Sequence, residues 1–384
     1  METERDIFDP RHYDRVRLPP DRAETLPAWC FTSPEFYARE VERIFRRAWN
    51  CVGREDVVKK AGDYYAFDFT GVPVVIIRGE DGGLCAFANT CRHRGTKLLE
   101  GEGNVRAIAC PYHGWTYRLD GRLSYAPDME RTQGFRESEF GLVPIRLATR
   151  LGFLFVSFDD GGPDIDSYLG DFPKLFQPWN LADMACAVRR TYDARFNWKF
   201  HLEAFVEYYH ARVVHRNSLY LRRHTPNPPD RVSGEYLTIS STHEGSSAVL
   251  KGDDARIFPP IEGLPPELHG TTRFTILYPA FIFGVTNDSM WYIQHHPMAA
   301  DRCRIVFGGC FPKKVTERPD YDEIAAKYTR RWNKAFEEDN DVFLRLQAGM
   351  SSPYCAPGRL SHLESLVGSI GRWVVDRVID GANR

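Results

Sequence analysis

The sequence contains no long hydrophobic run and no excess of charge of one sign. No stretch approaches the roughly 20 apolar residues that a membrane-spanning helix needs, and the opening METERDIFDPRHYDR is too polar for the apolar region of a signal peptide. Lys and Arg together number 50 against 52 Asp and Glu, without the basic stripe that follows a phosphate backbone. We therefore expect neither a membrane nor a nucleic acid as partner, and we expect a cytoplasmic location.

Cysteine is also sparse, with nine residues in a chain of 384. Cysteines spread so widely do not form the dense disulfide framework of small secreted proteins. Seven of them are expected to be small buried side chains. Cys91 and Cys110 differ, because a histidine follows each of them by two or three residues.

The length exceeds what a single hydrophobic core usually supports, so we expect two domains. TSPEFYAREVERIFRRAWN has the N-cap residues, early proline and spaced apolar residues of a helix. Short β-rich runs with turns such as EDGG follow, and after DDGGPDID helical and strand patterns mix. These patterns predict an α+β fold: an N-terminal helical segment packed on the last domain (1–48), a small antiparallel β domain (49–158), and a larger domain with an antiparallel sheet and flanking helices (159–384).

In the larger domain, helical periodicity appears in three stretches: NWKFHLEAFVEYYHARVVH, YDEIAAKYTRRWNKAFEEDNDVFLRLQAG and LESLVGSIGRWVVDRVI. Strands are predicted for GEYLTISSTHEG, RFTILYPAFIFGVTNDSMWYIQHH and CRIVFGGCF, with a hairpin turn at Asn287 and Asp288. Two proline-rich loops lie between these elements, and loops of this kind often border a substrate site.

Two short loops each carry one cysteine and one histidine: Cys91 with His93, and Cys110 with His113. These residues could bind zinc, but zinc fingers usually pair cysteine with cysteine and histidine with histidine along the chain. One thiolate and one imidazole per loop suit a two-iron cluster in which both cysteines ligate one iron and both histidines the other, as in a Rieske centre. We expect the cluster rather than zinc.

A second set of candidate metal ligands begins with His210 and His215, a His-x4-His pair. In a regular helix their side chains would point about 140° apart, so a bulge or a helix end must separate them if both face one ion. Glu203, Glu207 and His210 would share one helical face, and a carboxylate beside a ligand histidine fixes its tautomer. Two unrelated histidines on an exposed helix are the alternative interpretation.

The third ligand is expected to be a carboxylate, because two histidines and one carboxylate on one face of Fe(II) leave adjacent positions open for dioxygen. Asp339 falls within the apolar stripe of the long predicted helix, whereas Glu338 and Asp341 fall nearer its solvent face. A carboxylate in an apolar stripe is costly unless it is paired or bound to a metal. This argument selects Asp339.

The stretch CRHRG…CPYHGW, from Asn89 to Trp115, closely resembles the Rieske loops of the ring-hydroxylating oxygenases. NWK, YYHARVVH and EDNDVFLRLQAG resemble the catalytic-domain signatures of the same family. The resemblance implies a Rieske domain with a [2Fe-2S] cluster and a catalytic domain with a mononuclear Fe(II), with dioxygen as co-substrate. Carried over residue by residue, the cluster ligands are Cys91, His93, Cys110 and His113, and the iron ligands are His210, His215 and Asp339.

Members of this family typically work as rings of three subunits, with the cluster of one chain beside the iron of its neighbour. The resemblance therefore implies a homotrimer in which Glu207, as the catalytic carboxylate, bridges an iron histidine and His113 of the partner subunit. Electrons from NAD(P)H would enter through a separate flavin and iron–sulfur reductase, directly or through a ferredoxin. Many members have aspartate at this position. In having glutamate there, this sequence resembles the branch of the family that oxidises quaternary amines such as carnitine, glycine betaine and stachydrine. Ala204 departs from the asparagine that is frequent at its position.

We therefore expect a terminal oxygenase that hydroxylates or oxidatively N-demethylates a small methylated or quaternary amine. Aromatic faces can cage a cationic ammonium, so four rings and one carboxylate are candidates for its pocket: Phe281, Phe283, Trp291, Tyr292 and Glu203. Plain sheet core is the alternative interpretation for each ring.

Other functions stay open from the sequence. One alternative is ring hydroxylation or dihydroxylation of an aromatic compound or aromatic acid. An aromatic acid would require a cation in the pocket, and Arg273 and Arg304 are the candidates. A Rieske electron carrier would use the cluster alone, with a degenerate second site. A structural zinc protein would use neither iron group.

Overall fold

The computed structural model of the chain describes residues 6–221 and 224–381. The chain divides into two compact units, one made of Met1–Asn50 with Pro163–Arg384 and the other of Cys51–Gly162. The breaks follow residues 50 and 162, where the sequence predicted boundaries after 48 and 158. The N-terminal segment therefore shares a unit with the larger domain.

The smaller unit, all of which the structure describes, is built from antiparallel strands. They are β1 (Trp49–Arg54), β2 (Asp63–Phe69), β3 (Val72–Arg78), β4 (Leu84–Ala88), β5 (Gly101–Asn104), β6 (Ile108–Ala109), β7 (Thr116–Tyr117), β8 (Leu123–Tyr125), β9 (Pro144–Arg150) and β10 (Phe153–Ser157). One sheet has the order β1-β10-β9-β4-β3-β2-β5, and a small sheet has the order β6-β7-β8. The predicted antiparallel β domain is confirmed.

Turn chemistry positions the first Cys/His loop. The EDGG turn joins β3 to β4, and Gly82 adopts φ +81°, a conformation that side chains rarely tolerate. Gly79 N donates to Gly83 O at 2.7 Å and closes the turn. Strand β4 then runs directly into residue 89, where the loop begins.

The larger unit combines a second antiparallel sheet with helices. Its strands are β11 (Met184–Ala194), β12 (Thr225–Pro226), β13 (Tyr236–Thr242), β14 (Thr271–Leu277), β15 (Phe281–Val285), β16 (Met290–Ala299) and β17 (Arg302–Pro312). Its helices are α1 (Trp29–Thr32), α2 (Pro34–Glu40), α3 (Ile165–Leu169), α4 (Phe172–Phe176), α5 (Lys199–Phe205), α6 (Ala211–Val214), α7 (Lys313–Thr316), α8 (Tyr321–Met350) and α9 (Ser365–Val378). The described strands follow the order β11-β17-β16-β15-β14-β13-β12. This arrangement confirms the α+β class, and the predicted turn at Asn287 and Asp288 joins β15 to β16.

The central strands are buried on both faces, which explains their almost continuous apolar sequence. Helix α4 covers one face, where Phe176 contacts Phe283 with ring centroids 5.0 Å apart. Helix α8 covers the other, where Trp332 contacts Phe307 at 5.9 Å and Trp291 at 6.4 Å. The face that a ring occupies therefore decides which helix it meets.

Three predicted helices are confirmed, with small differences at their ends. Ser33 caps α2 by accepting from Phe36 N, and this helix continues into a π-helical turn, Val41–Phe45. Helices α8 and α9 lie where the periodicity predicts them. Among the described residues, no helix combines the length and apolar character needed to cross a membrane.

The helix predicted over NWKFHLEAFVEYYHARVVH is interrupted, because the chain leaves the helix after Phe205. A short irregular segment follows, and only Ala211–Val214 is helical again. Glu203 therefore does not share a helical face with Glu207 and His210. His210 and His215 lie at the two ends of the short helix α6, which supplies the helix end that their spacing required.

Candidate metal centres and substrate cavity

The two Cys/His loops have the same backbone design. Gly95 N donates to Cys91 O at 2.9 Å, and Gly114 N donates to Cys110 O at 3.1 Å. Both glycines adopt φ +74°, the left-handed region that glycine reaches without strain. Each loop therefore turns back just beyond its histidine and presents one thiol and one imidazole in the same way.

The four side chains separate into a buried and an exposed pair. Cys91 and Cys110 are each 4% exposed, whereas His93 and His113 lie at the surface with ring centroids 4.6 Å apart. Among the described residues, these four do not form a group in which three ligand atoms lie within 4.8 Å of one another, as a single ion would require. A buried thiol end and an exposed imidazole end fit a two-iron cluster better than one zinc ion.

Hydrogen bonds reach both thiol groups. Tyr117 Oη accepts from Arg92 N at 2.9 Å and lies 3.3 Å from Cys91 Sγ, so its own proton can be donated to the sulfur. Burial raises the pKa of Cys110, but backbone N–H groups of its own loop, together with the side chains of Cys91 and Thr96, outweigh burial and lower that pKa overall. Thiolates are the form that ligates iron.

The second candidate centre brings together residues from two separate parts of the chain. His215 Nε2 lies 3.1 Å from Asp339 Oδ1, and His210 Nε2 lies 3.9 Å from the same oxygen. One ligand atom from each of the three lies within 4.8 Å of the others. This is the spacing of atoms that can share one ion, and Asp339 reaches it from α8.

A glutamate holds the far nitrogen of each histidine. Glu207 Oε1 accepts from His210 Nδ1, and Glu338 Oε2 accepts from His215 Nδ1 at 2.8 Å. With Nδ1 protonated, each ring turns an unprotonated Nε2 toward the common point. Ser218 Oγ also donates to Glu338 at 2.5 Å. The site is therefore built from two matched Glu–His pairs.

The local charges suit a cation. Burial lowers the pKa of His210, but the hydrogen bond to Glu207 and the charges of Glu207 and Asp339 outweigh burial and raise that pKa overall. Burial likewise raises the pKa of Glu338, but hydrogen bonds from Ser218 and His215 lower it overall. Three carboxylates around two imidazoles give the site the charge that a divalent ion requires.

A cavity of about 170 Å³ opens beside this centre. Its lining includes all three candidate ligands together with Glu207. The rest of the wall is mainly aromatic: Phe205, Tyr208, Tyr220, Phe274, Trp291, Phe307, Trp332, Phe336 and Phe343. His201, His224 and Arg331 supply polar groups. The cavity can therefore hold a small organic molecule against the proposed metal site.

Comparison with protein families agrees with both centres. The family model of the ring hydroxylating alpha subunit (catalytic domain) matches residues 181–380, just over half of the chain, and that of the Rieske [2Fe-2S] domain matches residues 48–136. This chain belongs to the ring hydroxylating alpha subunit family. The Rieske cluster and the non-heme iron are the cofactors of that family.

Individual relatives share parts or most of the chain. The oxygenase subunit of carnitine monooxygenase from Escherichia coli (strain K12) is 35% identical over 199 residues, 51% of this chain and 53% of that protein. The chain spans about half the length of the carnitine monooxygenase subunits that it matches. Chloroplastic choline monooxygenase of Spinacia oleracea is 27% identical over 358 residues, 92% of this chain and 76% of that protein.

The fold is also shared with solved members. The structure of a quaternary ammonium Rieske monooxygenase, described for carnitine oxidation and inter-subunit electron transfer, matches with a TM-score of 0.79 at 25% identity. The match covers 93% of this chain and 96% of that one. Both units of this alpha subunit thus have counterparts in a solved relative.

The predicted pocket rings need correction. Trp291 lines the cavity, but Phe281, Phe283 and Tyr292 do not. Successive residues of a strand point to opposite faces, so Tyr292 cannot share the face of Trp291. Tyr292 stacks on Phe281 at 5.4 Å, and Phe283 packs under α4. These three rings are sheet core.

Glu203 also lies outside the cavity lining. Burial raises its pKa to about 8. Of the two predicted pocket arginines, Arg273 pairs with Asp230 at 2.5 Å and Arg304 pairs at the surface with Asp193. None of these three residues belongs to the lining of the cavity.

Sequence reasoning missed two residues of the site. Glu338, assigned to the solvent face of α8, holds His215, and Arg331 lines the cavity. Arg331 belongs to the buried residues of α8, and a charged residue inside an apolar stripe is the same signal that selected Asp339. No comparable signal marks Glu338, because its contact depends on where α6 lies.

Proposed function

We propose that this chain is the terminal oxygenase component of a multicomponent system. It would use dioxygen and electrons from an NAD(P)H-dependent reductase to hydroxylate or oxidatively N-demethylate a small methylated or quaternary amine. One observation carries this proposal: His210, His215 and Asp339 converge in the wall of an aromatic cavity, in a chain that also holds a Rieske domain. A Rieske electron carrier would need neither the ligand set nor the cavity.

The donor sets fit both iron groups. When bound, the cluster would supply single electrons and the mononuclear iron would activate dioxygen at its open positions. The cluster ligands would be Cys91, His93, Cys110 and His113, and the iron ligands His210, His215 and Asp339. Glu207 and Glu338 accept hydrogen bonds from the Nδ1–H groups of His210 and His215, so both imidazoles keep the tautomer that offers Nε2.

The aromatic cavity would hold the substrate with one carbon facing the iron site. In the overall reaction a C–H bond becomes C–OH, one oxygen atom of dioxygen enters the product, and two electrons and two protons convert the other to water. If that carbon is an N-methyl group, the C–N bond then breaks and formaldehyde leaves, so the amine loses one methyl. Hydroxylation and demethylation can therefore share one cavity.

An amine is favoured by the relatives and by one residue of the chain. The related enzymes are named for carnitine and choline. In having glutamate at position 207, the chain also resembles the branch of the family that oxidises quaternary amines. Several rings of the cavity, such as Tyr208 and Phe205, can offer their faces to an ammonium group. Hydroxylation of an aromatic acid is the second candidate, because Arg331 supplies a cation within aromatic walls.

The working unit is proposed to be a homotrimer served by a separate reductase, directly or through a ferredoxin. Glu207 Oε1 already holds His210 within the chain. His113 of the partner subunit would complete the bridge, and inter-subunit electron transfer described for a related enzyme supports this arrangement.

Metal analysis of two variants tests the proposal. Anaerobically purified wild type is expected to hold about three irons and two acid-labile sulfides per chain. His210→Ala/Asp339→Ala should lose one iron and keep the paramagnetic resonance of the reduced cluster. Asp341→Ala is the control, because Asp341 lies two residues away on the same helix in an exposed ion pair with Arg345.

Turnover is the second measurement. With a reductase and a panel of methylated amines, wild type should release formaldehyde only when dioxygen is present, and the double variant should release none. Zinc in place of iron, or the same iron content in wild type and double variant, would overturn the oxygenase assignment.

A further inference from the structure

Arg331 is a buried cation in the wall of the substrate cavity. Its residue is 6% exposed and belongs to the cavity lining. The guanidinium carbon lies 4.8 Å from the ring centroid of Trp291, and Nε donates to Ser247 O at 3.1 Å. The ring and the backbone oxygen thus set the plane and position of the guanidinium group.

Among the described lining residues, the carboxylates belong to the iron site. Glu207 and Asp339 are the acidic residues of the lining, and both contact His210. Among the described lining residues, Arg331 is the sole arginine or lysine. The lining therefore has acidic groups where the metal would bind and a permanent positive charge elsewhere.

Helix α8 separates these two regions along the cavity. Arg331 and Asp339 are eight residues apart on one continuous helix, which corresponds to a rise of about 12 Å along its axis. Ala335 and Phe336, between them, also line the cavity. A molecule that touches the iron site can therefore extend along α8 toward Arg331.

We propose that Arg331 binds a carboxylate of the substrate and thereby positions the carbon that is oxidised. A guanidinium group is planar and always charged, and it matches a carboxylate through paired N–H donors. Inside a poorly solvated cavity the attraction is stronger than in water. The substrate class is thus a small organic acid with its reactive carbon remote from the carboxylate, and this inference rests on the proposed oxygenase function.

The carboxylate could belong to a trimethylammonium acid or to an aromatic acid. Both place an anion at one end and an oxidisable methyl or ring carbon at the other, and both suit aromatic walls. Three compounds distinguish these two classes of acid by their binding: L-carnitine, its carboxamide and 4-methoxybenzoate. The carboxamide keeps the shape and the ammonium group of carnitine but removes the negative charge.

Binding is measured by calorimetry on the holoenzyme without dioxygen, so that no turnover is needed. Arg331→Gln should weaken carnitine or methoxybenzoate binding by about 10- to 100-fold, the range expected for losing charge-assisted hydrogen bonds, and leave carboxamide binding unchanged. Arg331→Lys should lie between. Arg330→Gln is the matched control, because Arg330 is the next residue on α8 and forms an exposed pair with Asp253.

Each outcome decides the inference. If Arg331→Gln weakens the acid and the carboxamide equally, or neither, Arg331 is a structural residue and the proposal fails. If that variant does not fold, wild type and Arg331→Lys decide: a carboxylate must bind at least about tenfold more tightly than its carboxamide, and equal affinities overturn the proposal.

The oxygenase assignment is judged separately. If an acid binds through Arg331 but no oxygen-dependent product forms, the proposed function fails and the carboxylate site stands. If wild type oxidises neutral and acidic amines with equal KM, and Arg331→Gln changes neither KM value, the proposed carboxylate site is wrong and the oxygenase assignment is kept. A KM increase without loss of kcat for the acid alone supports both.

Discussion

At the residue scale, the two iron-site histidines are held in the same way by partners at very different distances along the chain. Glu207 precedes His210 by three residues, whereas Glu338 is separated from His215 by 123 residues. Glu338 adjoins Asp339, so one turn of α8 supplies both a proposed ligand and the group that orients another. Positioning and ligation are thus carried by adjacent side chains.

Removing the orienting carboxylate should loosen the metal. Glu338→Ala frees His215 Nδ1, and outer-sphere partners of this kind typically contribute about 10- to 100-fold to metal affinity. We expect iron to dissociate from the mononuclear site at correspondingly lower chelator concentration, while the cluster absorbance stays unchanged. Glu337→Ala, an exposed neighbour on α8, is the control. Equal iron retention in both variants would contradict the positioning role.

A buried histidine pair should make stability depend on pH. Ala280 O can only accept, so His295 Nδ1 donates to it at 2.9 Å and His295 Nε2 accepts from His201 Nδ1 at 3.0 Å. Burial lowers the pKa of His295 to about 4 and that of His201 well below its usual value. Below the usual histidine pKa, the unfolded chain binds protons that the folded chain cannot.

The free energy of unfolding should therefore fall as pH decreases from 6.5 toward 4. His295→Gln should reduce this loss of unfolding free energy by up to about 3 kcal/mol. Urea unfolding at a series of pH values measures the difference. His362→Gln, at an exposed histidine, should leave the slope as in wild type. An unchanged slope for His295→Gln would show that the pair does not exclude protons.

At the element scale, helix α8 packs against the sheet at Gly309, a residue of β17 that has no side chain. A Cβ atom at Gly309 of β17 would lie 2.3 Å from Trp332 Cζ3, so the ring of Trp332 rests directly on the strand backbone. The same ring lines the cavity. The distance between the sheet and α8 therefore sets the width of the cavity.

Filling this position should cost stability and disturb the cavity. Gly309→Ala must move the ring or the helix, and overpacking of this kind typically costs about 1–3 kcal/mol. Gly349→Ala is the matched control near the end of α8, because among the described residues no atom beyond its chain neighbours and its own helix backbone lies within 4 Å of the Cβ position. This substitution should raise the free energy of unfolding by about 0.5–1 kcal/mol. Urea midpoints of both variants measure the difference. A neutral Gly309→Ala would contradict the close packing.

At the scale of the whole molecule, the proposed trimer can be tested by mixing inactive chains. Cys91→Ser removes a cluster ligand, and His210→Ala/Asp339→Ala removes the mononuclear site. If electrons pass between neighbours, equimolar mixtures that assemble at random should recover about one quarter of wild-type activity, since that fraction of neighbouring sites pairs an intact cluster with an intact iron. Light scattering should give the mass of three chains. Inactive mixed trimers would place electron transfer within one chain.

Much of the fold and of the site could be predicted because its signals are short-range. The spacing of Cys91 from His93 and of Cys110 from His113, with a glycine after each pair, is contained within single loops. The period of α8 placed Asp339 on the buried stripe, and the structure brings this residue beside His210 and His215. Their roles as ligands stay predictions until metal is measured.

The errors arose where one element depends on another. The break after Phe205 leaves no clear mark in a sequence whose apolar spacing is helical throughout, since tertiary contacts override local propensity. Phe283 and Trp291 were grouped because both are aromatic strand residues, yet the register of β15 and β16 sends them to opposite faces.

The sequence by itself determined the chemistry available: the two Cys/His loops, the His-x4-His pair, the aspartate in an apolar stripe and the alternation of strands and helices. The tertiary structure alone decided which face of the sheet α8 covers, and hence that Trp291 and Arg331 meet in the cavity. It also decided that Glu338 reaches His215. The physical reason is the distance along the chain over which each interaction acts. Loop turns and helical periodicity depend on a few neighbouring residues, whereas packing joins positions more than 100 residues apart.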